Sequence, residues 1–149
     1  MKNIIVKASG DVLDDSKFTE FVKNKARNNE VVVVCGGGTQ ISNALVKAGH
    51  KVKYDNFGRV IKTQKEKDIV KNILGKQRKA LGQIVVSKNV AIVLPILKAG
   101  TIECQINGDN LVKAYYLGFD NIYVFTLKNR VTDKIKTFKD YPKVKIIGI

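Results

Sequence analysis

Four valines and a cysteine in succession, Val31-Val32-Val33-Val34-Cys35, run directly into Gly36-Gly37-Gly38. Branching at Cβ favours extended backbone. A strand with no polar alternation is covered on both faces, as in a parallel sheet flanked by helices. The glycines lack Cβ atoms, so other groups can approach the chain closely just after the strand. Thr39 then stands as the N-cap of a helix with Ile41, Ala44, Leu45 and Ala48 inward, stopped at Gly49.

The same alternation continues along the chain. Ile4–Val6 is a short apolar run ending at Lys7-Ala8-Ser9-Gly10, and Asp14, Asp15 and Ser16 offer N-cap chemistry for a helix with Phe18, Phe21 and Val22 on one face. His50 to Thr63 is polar and reads as a loop or hairpin. Gln64 to Gly82 carries the apolar stripe Ile69, Val70, Ile73, Leu74 and Leu81 of an amphipathic helix. Apolar runs at Ile84–Val86 and Val90–Leu94 precede Pro95, and Thr101–Ile106 alternates as a strand. Asp109 to Gly118 reads as a helix, Ile122–Phe125 as a buried strand, and the segment from Asn129 as turn-rich, ending in Val144-Lys145-Ile146-Ile147. Strands alternating with helices imply βαβ units, hence an α/β fold of three layers, α/β/α, with a mostly parallel central sheet. Ligands of such sheets bind at the carboxyl ends of strands, which directs attention to the loops after Val6, Cys35, Ile106 and Phe125.

With 149 residues, 44% of them apolar, a single domain over residues 1–149 is expected, large enough to fold without staples. Cys35 and Cys104 form no C-x-x-C pair and neither neighbours a histidine, so no metal site is expected. His50 is the sole histidine, which removes most histidine-centred catalysis. No apolar run reaches the ~18–20 residues of a membrane span. The opening residues turn charged too soon for a signal peptide, so a cytoplasmic location is expected. The net charge of +14 suggests an anionic partner. Only four of the 27 basic residues are arginines, the lysines are dispersed, and aromatics do not interleave with a basic cluster. Nucleic-acid recognition concentrates arginine and stacking rings, so a lysine-biased solvated surface is expected rather than a dedicated nucleic-acid face.

Gly36, Gly37 and Gly38 between strand and helix suit an anion cradle of backbone N–H groups at a helix N-terminus, or else simply tight packing. Lys7, at the end of the first strand, is either a fixed point charge for an anion or a solvated surface lysine. Asn107-Gly108-Asp109 offers an amide and a carboxylate at the start of a helix, and is equally an ordinary N-cap.

Together these segments resemble the amino-acid kinases, nearest to acetylglutamate kinase and more distantly to uridylate kinase. Lys7-Ala8-Ser9-Gly10 is similar to that family's Lys-x-Gly-Gly, and Val31–Gly38 to its strand into three glycines. Gly58-Arg59-Val60 through Gly75-Lys76 and Leu81 is similar to its Gly-x-Arg-Val-Thr segment and following helix. Val93-Leu94-Pro95-Ile96 and Gly100 to Asp109 resemble its strand pair ending in Asn-x-Asp, and Gly118-Phe119-Asp120 into Thr126 its strand ending in Leu-Thr-Asp. The resemblance implies ATP- and Mg²⁺-dependent phosphorylation of a small acidic acceptor. Lys7 and Asp109 would be catalytic, with Asp109 positioning the catalytic lysines. Gly36, Gly37, Gly38, Arg59 and Asn107 would bind the acceptor, and Gly10 and Thr126 the nucleotide. It also implies a homodimer through the Gln64–Gly82 helix.

Several positions depart from the family pattern. Ser9 replaces a glycine, Cys35 stands where histidine is usual, and Leu127-Lys128-Asn129-Arg130 replaces an Asp-x-x-Gly. The segment between Leu81 and Val90 is shortened, and the sequence ends at Ile149 before the ATP-binding portion of the family is complete, with no counterpart of its second lysine. A degenerate nucleotide side follows, and the alternative is a non-catalytic anion- or metabolite-binding or regulatory module, a pseudoenzyme.

Overall fold

The computed structural model describes residues 1–149. In chain order its elements are β1 (Asn3–Ala8), α1 (Ser16–Ala26), β2 (Glu30–Cys35), α2 (Gly38–Lys47), β3 (Tyr54–Asp55), β4 (Gly58–Arg59) and α3 (Gln64–Ile84). There follow β5 (Val90–Val93), β6 (Ile96–Ala99), β7 (Ile102–Gln105), α4 (Gly108–Tyr115), β8 (Asn121–Thr126), α5 (Val131–Thr137) and β9 (Val144–Gly148). Five strands form one sheet in the order β5-β2-β1-β8-β9, and every neighbouring pair is parallel. β3–β4 and β6–β7 are small antiparallel hairpins outside it.

Strand alternation divides the core between the two faces of the sheet. Ile4, Val6 and Ala8 of β1, with Val31 and Val33 of β2, pack against Phe18 and Val22 of α1. Ile5, Val34, Ile122 and Val124 point the other way, against Leu111 and Val112 of α4 and Phe138 beyond α5. A third cluster, Ile41, Leu45, Val70 and Leu74, joins α2 to α3. The uninterrupted valine run is thus a central strand, paired with β1 on one side and β5 on the other.

Local chemistry fixes the helix starts. The Asp15 carboxylate accepts from the Lys17 N–H at the head of α1. Thr63 and Glu66 form a reciprocal capping box on α3. α2 begins two residues earlier than a Thr39 N-cap predicts, because Gly37 occupies the N-cap position. Of the Ile84–Val86 run, Ile84 completes α3 and Val85 is its buried C-cap. The segment after Asn129 contains a helix, α5, which its β-branched residues do not advertise. No helix is long and apolar enough to cross a membrane.

Phe18 is fully buried and meets the Phe125 ring edge-on, with centroids 5.4 Å apart. Phe18→Ala is expected to lower unfolding free energy by about 3–5 kcal/mol. Leu117→Ala, at a side chain 91% exposed, should stay within about 0.5 kcal/mol of the parent. Urea denaturation measures both.

Candidate functional site

The strand order turns at β1: the chain passes from β1 to β2 on one side, while β8 and β9 lie on the other. The carboxyl ends of β1 and β8 therefore flank a topological switch point, the place where open parallel sheets hold ligands. A cleft of about 490 Å³ opens there.

Its floor is ionic. Lys7 is the penultimate residue of β1, in register with Val34 of β2 and Val124 of β8. Alternation turns it to the α4 face, where it is 5% exposed. Its stem passes Gly108, at which a Cβ would lie 3.4 Å from Lys7 Cε. The Lys7 ammonium stands 3.0 Å from Asp109 Oδ1, an ion pair buried on both sides. Lys134, from α5, donates to Oδ2 of the same carboxylate. Burial is the largest influence on Lys7 and draws its ammonium below the ordinary 10.5; Asp109 opposes this, and Lys134 and Arg130 add to it. For Asp109, burial alone would raise the carboxyl, but the two ammonium groups hold it below the ordinary 3.8. The carboxylate thus stays ionised between two cations.

Asp109 is placed by the start of α4. The Asn107 side chain accepts from the Asp109 N–H at 2.9 Å and caps the helix. Asn107 also lines the cleft, so the capping and ligand-facing readings of this residue are compatible.

The three glycines differ from one another. The Gly36 N–H donates to the Ala8 carbonyl at 2.9 Å, and a Cβ at Gly36 would come within 2.4 Å of that oxygen. Gly36 therefore serves the close approach of β2 to β1, and its amide is spent. Gly37 and Gly38, with Thr39 and Gln40, donate to no acceptor in the chain, and no side chain caps α2. Their amides and the helix dipole supply partial positive charge at the rim of the cleft.

Arg59 reaches the same rim from the β3–β4 hairpin. Its Nη2 donates to the Gly38 carbonyl at 2.7 Å, to Ser42 Oγ at 2.9 Å and to the Tyr54 hydroxyl at 3.2 Å. The hairpin is tied down on its other side by Asn110 Nδ2, which donates to the Phe57 carbonyl at 3.0 Å. It bridges the starts of α2 and α4.

Gly10 lines the cleft against Gly37, whose Cα would be 2.9 Å from a Gly10 Cβ. Thr126 is fully buried at the end of β8 beside the Ser9 hydroxyl, 3.5 Å away, and does not line the cleft. The residues expected from sequence are otherwise gathered in one place: Lys7, Gly36–Gly38, Arg59 and Asn107 line the cleft, and Asp109 supports it from below.

Three contributors were not foreseen. Asp11 accepts from Thr39 Oγ1, Gln40 Nε2 and Arg130 Nη1 at 2.9, 3.1 and 3.0 Å, joining the β1 loop, α2 and the loop after β8. Arg130 and Lys134 both come from the segment read as turn-rich. Short α5, rich in β-branched residues, carries Lys134 into the floor.

No protein-family model matches the sequence, and no curated protein sequence matches it. The fold is similar to a solved structure of N-acetylglutamate synthase from Neisseria gonorrhoeae, complexed with coenzyme A and N-acetyl-glutamate. The TM-score is 0.69 at 10% identity, over 85% of this chain and 42% of that one. The chain therefore spans less than half of that synthase chain. The likeness establishes an α/β fold with a mostly parallel five-stranded sheet flanked by helices.

These findings correct three expectations. Membership of the amino-acid kinases is not supported. ATP-dependent phosphorylation, and with it the kinase and ATP-binding assignments, is overturned by a neighbour that is a synthase holding coenzyme A and N-acetyl-glutamate. ATP and Mg²⁺ as cofactors fall with it. The residues do not suit that pair either: both oxygens of Asp109 face lysines, Thr126 is sealed in the core, and no three His, Cys, Asp or Glu side chains gather into a metal-holding group.

Removing the central carboxylate leaves two ammonium groups facing each other. Asp109→Asn should cost about 3–5 kcal/mol at pH 7. Because the folded carboxyl lies below 3.8, its stabilisation is complete above that value and lost as pH falls beneath it. Urea denaturation from pH 7 downward should show that loss in the parent and its absence in Asp109→Asn.

Proposed function

We propose that the cleft binds a small acidic metabolite of the N-acetyl-glutamate kind, with its carboxylate held against the ionic floor. The observation that carries this reading is an excess of positive charge at an enclosed site. Lys7, Lys134, Arg59 and Arg130 stand against two carboxylates, Asp11 and Asp109, and the free amides of Gly37 and Gly38 add to the excess. Charge-assisted hydrogen bonds from such groups are among the strongest available to a carboxylate. Asp109 orients the two lysines, and Asn107 Nδ2 is a further donor.

N-acetyl-glutamate is one of the two ligands named for the structural neighbour, and its size and charge suit this cleft. Ile41, Ile61, Val70 and Leu74 provide an apolar wall opposite the cations for an acyl group or methylene chain. Coenzyme A, the other ligand, would make the site one for acyl transfer. The homodimer through the Gln64–Gly82 helix is proposed on sequence grounds alone, and light scattering of the native chain decides between dimer and monomer mass.

Isothermal titration with N-acetyl-glutamate should show saturable binding that weakens about tenfold or more in Lys134→Gln. Failure of N-acetyl-glutamate, glutarate and succinate alike to bind overturns the proposal. Formation of N-acetyl-glutamate from acetyl-coenzyme A and glutamate would replace simple binding with acyl transfer.

A further inference from the structure

A second groove, of about 490 Å³, lies at the β5 border of the sheet and shares no residue with the ionic cleft. It runs between the second half of α3, which contributes Gly75 and Gly82, and β5, which contributes Val90 and Ile92. Seven residues apart, the two glycines share one face of the helix. Glycine weakens a helix relative to alanine, yet packing within the chain requires neither. A Cβ at Gly75 would meet nothing within 4 Å, and one at Gly82 only Ile92 Cδ1 at 3.8 Å. Val86, just beyond the helix, lines the same groove and is 81% exposed. β5 is also the last strand on its side, so one edge of its backbone has no strand beside it. The Asn89 carbonyl accepts from the Val31 N–H. Alternation along a parallel ladder then turns the N–H and C=O of Ile92 away from β2, toward that free edge. An uncovered edge is a template for another extended chain.

Charge selects the partner. From Ile69 to Ile102 the sequence holds six lysines and arginines and no aspartate or glutamate. Arg78 and Lys79 line the groove, both are exposed, and neither takes part in an ion pair. A second copy of the chain would bring further cations against them, and no aromatic ring lines the groove for a nucleotide base to stack on. We propose that this groove docks an extended acidic segment of another protein, added to β5 as an edge strand. Its backbone pairs with the N–H and C=O of Ile92. Its apolar side chains rest on Val86, Val90 and Ile92, and its carboxylates meet Arg78 and Lys79. The acids of α3, Glu66 and Asp68, stand in its first half, so a homodimer through that half leaves the groove open.

The test uses a fluorescein-labelled peptide with blocked ends, Glu-Val-Glu-Val-Glu-Val-Glu, read by anisotropy on the full chain. Salt is set at about 150 mM, where charges more than ~8 Å apart are largely screened. The unaltered protein should bind the peptide saturably, and hydrogen exchange of the Ile92 amide should slow in the complex. Arg78→Glu combined with Lys79→Glu should weaken binding about tenfold or more. The same charge change on exposed residues of α1, Lys17→Glu with Lys23→Glu, should leave it within about twofold. Equal losses in the two double variants reduce the effect to net charge and overturn the proposal. Unchanged exchange at Ile92, tighter binding of an oligothymidylate of the same net charge, or a dimer that excludes the peptide also overturns it. So does absence of binding. Exchange at Ile92 in the unaltered protein decides the matter even if a variant does not fold.

Discussion

The Asp109 carboxylate, held between Lys7 and Lys134, is the interaction on which the rest of the site depends. A lysine in the penultimate position of a central parallel strand is costly to bury, because its charge leaves water. The cost is offset by a carboxylate from α4 and shared with a second lysine from α5. β1, α4 and α5 are thereby tied together at one point. A lone ion pair would be neutral; two cations on one carboxylate leave a net positive charge directed at the cleft. The same arrangement binds the end of the chain to its beginning, since α5 leads directly into β9 on the flank of β8.

Around that floor the backbone makes room. Gly36 lets β2 run close to β1, and Gly10 meets Gly37 at close range. The β3–β4 hairpin then spans the starts of α2 and α4, presenting Arg59 on a mount of three hydrogen bonds. Cations are thus placed on rigid elements rather than left on mobile stems. Most of the 27 basic side chains are exposed and dispersed; of those that line the cleft, Lys7 is buried, Arg59 and Lys134 are half-buried, and Arg130, though exposed, is paired with Asp11.

Much of this was legible in the sequence. The valine run declared a central parallel strand because no polar residue interrupts it, and the glycines after it marked a close approach. Asn107-Gly108-Asp109 was visible as a capped helix start, and Lys7 as a lysine on a strand end. What pattern could not show was the role of residues 131–137: Val131, Thr132 and Ile135 disfavour an isolated helix, and α5 forms because Phe138 is buried beyond it. Lys134 and Arg130 were hidden for that reason. Thr126 illustrates the opposite error, since a polar residue at a strand end looks available when neighbouring strands in fact seal it. The motif order pointed toward kinase chemistry, but motifs of this kind report how a chain approaches a site, and the same strand–glycine–helix geometry serves other ligands.

The most direct measurement is nuclear magnetic resonance of side-chain ammonium groups in ¹⁵N-lysine-labelled protein during titration with N-acetyl-glutamate. Lys7 and Lys134, assigned through Lys7→Met and Lys134→Gln, should shift together and saturate at one ligand concentration while the exposed lysines stay in place. Shifts spread over the exposed lysines, with Lys7 and Lys134 unmoved, would contradict a binding site built on the Asp109 carboxylate.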